Sequence, residues 1–252
     1  MNANYSRVLP ALSAAERRGT ARRSLVNYCK YLVDFIRFPR LSPQTLVTSV
    51  EGETRFEGLN RVLEGGKGAV IVCMHFGNWD LGAGAAAARG YPLTVVAETF
   101  PDPRLDAMVA GARTRLGMNI VKMEKAGPSL VRSLKKNGLL ALLIDRPVPG
   151  DGVKVTFFGE EVEVPAGPAR LALRTGAAVV PCAFARIDPR RSEVECLCDF
   201  DVAPVVTGDT EEDIRALTQA IMDSHERFIR RFPDQWYMFR PMWGREAAGT
   251  GR

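Results

Sequence analysis

The residues with chemical capacity are few. The chain holds only two histidines, His75 and His225. His75 closes an apolar run at residues 69–74; Gly77 and Asn78 break the extended pattern, and an Ala-rich helix follows with Asp80 in its first turn. A histidine at the carboxyl end of a buried strand, five residues before an aspartate, has the makings of a general base, because imidazole titrates near pH ~6.5. The spacing predicts that Asp80 accepts a hydrogen bond from one ring nitrogen of His75 and fixes its tautomer. A second carboxylate, Asp145, ends another fully apolar run at residues 139–144. In open α/β sheets the site forms at the carboxyl ends of strands, so His75 and Asp145 are expected in one cleft despite lying 70 residues apart. His225 sits mid-helix beside Glu226 and Arg227 and is expected to serve surface or packing purposes.

Other chemistries are poorly served. The five cysteines form no Cys-x-x-Cys pair and read as reduced core residues. Two distant histidines and unpaired cysteines build no metal site. Gly82-Ala-Gly84 imitates a dinucleotide fingerprint, with Glu98 as the ribose-binding acid, but these glycines lie inside the helix and not in the strand-to-helix turn. No Gly-x-Ser-x-Gly elbow, P-loop or nucleic-acid-binding motif is present.

The elements that must position these residues follow from periodicity. At 252 residues, 46% hydrophobic and 25% charged, the chain suits one large α/β domain. Strand patterns near residues 69–74, 93–97, 120–122, 139–144, 177–184 and 193–200 alternate with helical ones, which predicts a mixed, largely parallel sheet wrapped by helices. Residues 153–158 and 161–164 read as a hairpin, residues 210–232 as one long helix with Thr210 as N-cap, and residues 236–239 as a closing strand. Three regions are expected: a basic helical arm at 1–45, a single catalytic domain at 46–245 and a short tail at 246–252.

Charge is uneven. Residues 1–40 carry eight basic and two acidic residues, a net +6 in a chain of net +5. Residues 1–20 read as loosely structured. Residues 22–38 form an amphipathic helix with Leu25, Tyr28, Cys29, Leu32, Phe35 and Ile36 on one face and Arg23, Asn27, Lys30, Asp34 and Arg37 on the other. Such a helix suits an anionic membrane surface; a helix packed on the core with a solvated basic face is the competing reading. No apolar run is long enough to span a bilayer, and the first 20 residues lack the apolar core of a signal peptide.

His75-(x)4-Asp80 resembles the HxxxxD motif of glycerolipid acyltransferases. The surrounding residues are similar to the bacterial lipid A biosynthesis (lauroyl/myristoyl) acyltransferase family and its phosphatidylinositol-mannoside acyltransferase members. Pro103-Arg-Leu-Asp106, Arg113, Leu143-Ile-Asp145, Phe157-Phe-Gly159, residues 170–181 and residues 234–240 near Trp243 carry the resemblance over residues 22–243. Two departures stand out. Many members begin with a spanning helix where this chain has the amphipathic one, and Asp145-Arg146-Pro147 replaces the usual Asp-Gln-Asp.

The resemblance implies transfer of a fatty acyl group from acyl-CoA or acyl carrier protein to a hydroxyl of a membrane lipid or glycolipid. His75 and Asp80 would be catalytic, and Arg113, Asp145, Arg146 and Asn78 would bind substrate. Backbone N–H groups at Gly77 and Asn78, or Arg113, would stabilise the oxyanion. No cofactor, metal or nucleic acid is expected, and the protein is expected to be peripheral on the cytoplasmic face of the membrane. A thioester hydrolase and a non-catalytic lipid-binding protein are the rival readings.

Overall fold

The computed structural model describes residues 1–123, 126–148 and 150–243. Seven strands form one sheet in the order β1-β9-β8-β2-β5-β3-β4. Its central strands are β2 (Ala69–Cys73), β5 (Leu139–Leu143) and β8 (Ala178–Arg186), flanked by β3 (Leu93–Ala97) and β4 (Asn119–Lys122). These five run parallel; β9 (Val194–Cys198) pairs antiparallel to β8 and parallel to β1 (Val50–Glu51). The sheet is thus mixed and largely parallel, as the alternating pattern predicts. β6 (Gly152–Phe157) and β7 (Glu160–Pro165) make a separate hairpin.

Helices cover both faces, which is why β2 is buried at all five positions. Val70, Val72 and Met74 face α8 (Gly167–Thr175) and α9 (Thr210–Arg231). Ala69, Ile71 and Cys73 face the side occupied by α4 (Glu53–Leu63) and α5 (Trp79–Ala88). α6 (Pro103–Arg115) and α7 (Gly127–Lys135) make the crossovers into and out of β4.

Several local expectations change. Residues 1–20 are helical: α1 (Asn2–Val8) is followed by α2 (Ala14–Arg37), whose start is held by a capping box between Ser13 and Glu16. The short helix α3 (Pro43–Thr48) and strand β1 escaped the periodicity reading, because six and two residues are too few to show a period. The N-cap of α9 is Asp209 and not Thr210; its carboxylate accepts from the N–H groups of Glu211 and Glu212. Residues 236–239 form no strand. Trp236 makes one isolated bridge to Phe76, and the Tyr237 N–H donates 2.8 Å to the His75 carbonyl. The tail at 246–252 and Pro149 lie outside the described residues.

α2 is no appendage. Ser24 donates to the Trp236 carbonyl and Asn27 to that of Asp234. The buried Asp34 carboxylate accepts from Arg186, Ser192 and Asn78. The buried face therefore carries Ser24, Asp34, Tyr31 and Phe35, and most of the apolar stripe turns outward: Leu25 is 51% exposed and Ile36 70%. Specific polar partners on the body decided which face packs, and hydrophobicity did not.

Candidate active site

Strand register brings the two carboxyl ends together. Cys73 pairs with Leu143, and the Ile144 N–H still donates to the Cys73 carbonyl at 3.0 Å. At the next position the ladder is taken over by a side chain, since the His75 N–H donates to Asp145 Oδ2 at 2.9 Å. Asp145 Oδ1 lies 2.7 Å from His75 Nδ1. A carboxylate only accepts, so in the neutral ring Nδ1 carries the proton and Nε2 keeps its lone pair. Trp236 Nε1 donates to Asp145 Oδ2 at 3.3 Å and fixes the carboxylate from behind.

Asp145 has no exposed side-chain surface. Burial, the largest influence, works against its charged form. The charge and hydrogen bonds of His75 outweigh that and hold the carboxyl below its ordinary value. Asp145 is thus an ionised, immobile partner.

The chain then turns at Gly77, whose φ of +58° and position against the Phe184 carbonyl, only 1.8 Å from where a Cβ would stand, admit glycine alone. Asn78 caps α5 through the Leu81 N–H and donates to Asp34. It is 1% exposed and does not line the cavity described below; its contacts are with α5 and Asp34.

Asp80 does not meet the histidine. Arg113 donates to it twice, at 2.7 and 3.0 Å, and the Tyr31 hydroxyl donates at 2.8 Å. The bidentate geometry takes both carboxylate oxygens. Helical rise is the reason: five residues of turn and helix carry Asp80 away from the strand end, toward α2 and α6. Burial, and then the adjacent Asp80 charge, raise Tyr31 well above the usual phenol value, so it remains a donor. Trp79 lies between the two sites, stacked on Tyr31 with centroids 4.1 Å apart and edge-on to His75 at 5.3 Å.

Backbone donors proposed for an oxyanion are occupied. The Gly77 N–H goes to the Gln235 carbonyl and the Asn78 N–H to that of Phe184, both at 2.9 Å.

A cavity of about 650 Å³ opens beside His75, between the sheet face and α2, α4 and α5. Ile71, Cys73, Val180 and Cys182 form its floor; Ala83 and Ala86 of α5 leave the space that larger residues would fill. His75, Asp80, Arg113 and Arg146 line it, whereas Asp145 stands behind His75. Arg113 is only 14% exposed, and Arg146 pairs with Glu98 at 3.5 Å where both are well exposed. Leu32, Ile36, Leu105 and Met108 both line the cavity and face outward, forming a broad apolar rim. Burial raises the Cys73 thiol and pushes Cys182 up to about 11, so neither supplies a thiolate nucleophile near neutral pH.

Of the residues singled out in the sequence, His75, Asp80, Arg113 and Arg146 line one cavity and Asp145 stands behind His75. The roles of Tyr31, Trp79, Trp236, Asp34 and Arg186 are set by the fold: Asp34 shows in the sequence only as part of the polar face of the helix at residues 22–38, and Trp236 only within residues 234–240.

Comparison with known proteins agrees with the geometry. The model of the bacterial lipid A biosynthesis acyltransferase family matches residues 1–245. A phosphatidylinositol mannoside acyltransferase of Mycolicibacterium smegmatis is 31% identical over 95% of this chain and 77% of its own length. One from Mycobacterium tuberculosis is 30% identical over 95% and 75%. The chain belongs to the bacterial lipid A biosynthesis acyltransferase family and is an O-acyltransferase.

Proposed function

We propose that the chain moves a fatty acyl group from an acyl thioester, acyl-CoA or acyl carrier protein, to a hydroxyl of a lipid or glycolipid, with His75 as base and Asp145 as its orienting partner. The acceptor hydroxyl gives its proton to His75 Nε2 as its oxygen attacks the thioester carbonyl. The tetrahedral intermediate collapses, the C–S bond breaks, and Nε2 returns the proton to the departing thiolate. Asp145 stabilises the imidazolium between the two transfers and takes no proton itself. Arg113 supplies positive charge for the developing oxyanion, and Asp80 with Tyr31 holds that guanidinium still. No cofactor enters this scheme.

The observation that carries the reading is a histidine with Nδ1 bound to a buried carboxylate, on the wall of an apolar cavity that suits an alkyl chain. The two mycobacterial relatives' names make a phosphatidylinositol mannoside the first acceptor to try. Incubation with an acyl thioester and acceptor separates the readings: acyl lipid supports transfer, free fatty acid alone supports hydrolysis, and no turnover supports a binding protein. His75→Ala should lower transfer ~10²–10⁴-fold.

We also propose peripheral attachment to the cytoplasmic membrane face. No helix among the described residues is long and apolar enough to cross a bilayer. The apolar rim around the cavity would enter the lipid, and the exposed Arg22, Arg37 and Arg40 would meet anionic headgroups. Arg7 and Arg23 are paired with Glu160 and Asp234, which leaves a smaller basic surface than residue counting implies.

A further inference from the structure

The end of the cavity far from His75 has an unusual construction. Cys198 pairs with Cys182 across the sheet, and Cys182 stands level with Cys73, two residues short of His75. β9 runs opposite to β2, so Phe200, two residues beyond Cys198, lies still farther from the catalytic edge. Strand rise and spacing put it roughly 13 Å down and roughly 10 Å across from His75.

Its ring lies against α4 at Gly58, where a Cβ would come within 2.6 Å of ring Cε2. The missing side chain is what lets the ring sit there. Beyond lies a second recess of about 480 Å³, which shares Arg55, Cys198 and Phe200 with the main cavity and is otherwise lined by Gly58, Val62 and the charged Arg61, Asp199 and Asp201. The half-buried Phe200 ring thus stands between the apolar cavity and this more charged recess, with Arg55 and Cys198 on the same boundary.

We propose that Phe200, seated on Gly58, is the end wall that sets the longest acyl chain this enzyme accepts. The proposal rests on the acyl-transfer reading. A saturated chain entering past His75 runs along Cys73 and Cys182 toward Cys198 and stops at the Phe200 ring. A chain that outgrows the cavity must displace the ring from its seat or fold back, whereas a shorter chain leaves apolar surface unfilled. Removing the ring joins the two recesses and admits extra methylenes; enlarging it shortens the cavity, because the backbone of α4 blocks movement the other way.

The test uses the full chain and its Phe200→Ala, Phe200→Leu and Phe200→Trp variants, with a series of saturated acyl-CoA thioesters from decanoyl to arachidoyl and one fixed acceptor. The readout is the ratio of kcat/KM between neighbouring lengths, so a general loss of activity cancels. Each methylene that gains or loses room should change that ratio by about tenfold or more. The optimum should move to longer chains in the Ala and, less far, the Leu variant, and to shorter chains in the Trp variant. Displacement of a fluorescent fatty acid by free acids of the same lengths gives a second readout that needs no turnover. Identical length profiles in all four proteins, by transfer and by displacement, overturn the end-wall proposal while leaving acyl transfer intact. Absent transfer with a length-dependent, shifted displacement profile overturns the reaction and keeps the wall.

Discussion

Asp145→Asn separates the two carboxylates near the histidine. In the native protein Asp145 accepts from the backbone N–H, Nδ1–H of His75 and Nε1–H of Trp236. An asparagine has one acceptor oxygen and an NH2 that donates. With the oxygen kept by the backbone N–H and Trp236, the NH2 faces Nδ1, which must then accept. The imidazole proton moves to Nε2, and the atom that should take the acceptor's proton already holds one. The loss falls on the chemical step, so kcat should drop about 10²–10⁴-fold, about 3–5 kcal/mol of barrier, with KM little changed. Shape and most hydrogen bonds survive, so the melting temperature should move little.

Asp80→Asn should act chiefly on stability, and should lower kcat only through the Arg113 that it holds in place. It leaves the Arg113 guanidinium, 14% exposed, without its counter-charge. Breaking a buried pair on one side costs about 3–5 kcal/mol, which lowers Tm by roughly 6–20 °C in a domain of this size. The assay pairs initial rates of thiol release and acyl-lipid formation with thermal unfolding of both variants. A kcat for Asp145→Asn within tenfold of wild type would refute the assignment of the histidine's partner to Asp145.

Other outcomes follow from single contacts. His225 is 1% exposed, and burial lowers its value from 6.5 to about 4; it is stable as the neutral ring, so its contribution is full above pH ~6.5 and declines as pH falls to ~4, at about 1.4 kcal/mol per pH unit, and His225→Leu should flatten that slope in denaturant titrations. Gly77→Ala sets a Cβ 1.8 Å from the Phe184 carbonyl at positive φ; a loss of at least ~2 kcal/mol is expected in urea unfolding, along with loss of transfer, because His75 sits two residues away. Leu25→Asp with Val33→Asp, both on the outward face of α2, should cut sedimentation with anionic and neutral vesicles while leaving Tm unchanged; if binding persists, α2 is not the docking face. Deleting residues 1–40 is no substitute for that test, since it removes Tyr31 and Asp34 from the core.

What the sequence determined is local and periodic. Continuous apolar runs at β2, β5 and β8 identify the central strands, and their alternation with helices leaves few alternatives to a largely parallel sheet. The runs at β2 and β5 end at His75 and Asp145, so the meeting of these two side chains at one edge of the sheet was legible in the sequence. Tertiary structure decided the pairings. Asp80 looked like the histidine's partner because spacing counts residues; register between β2 and β5 put Asp145 there, and the pitch of α5 turned Asp80 to Arg113. The orientation of α2 was equally beyond reach. A hydrophobic stripe ordinarily packs inward, but Asp34 finds Arg186, Ser192 and Asn78 only if the stripe faces out. Those partners are distant in sequence, up to 158 residues away, and no local pattern records an interaction between groups that only the fold brings together.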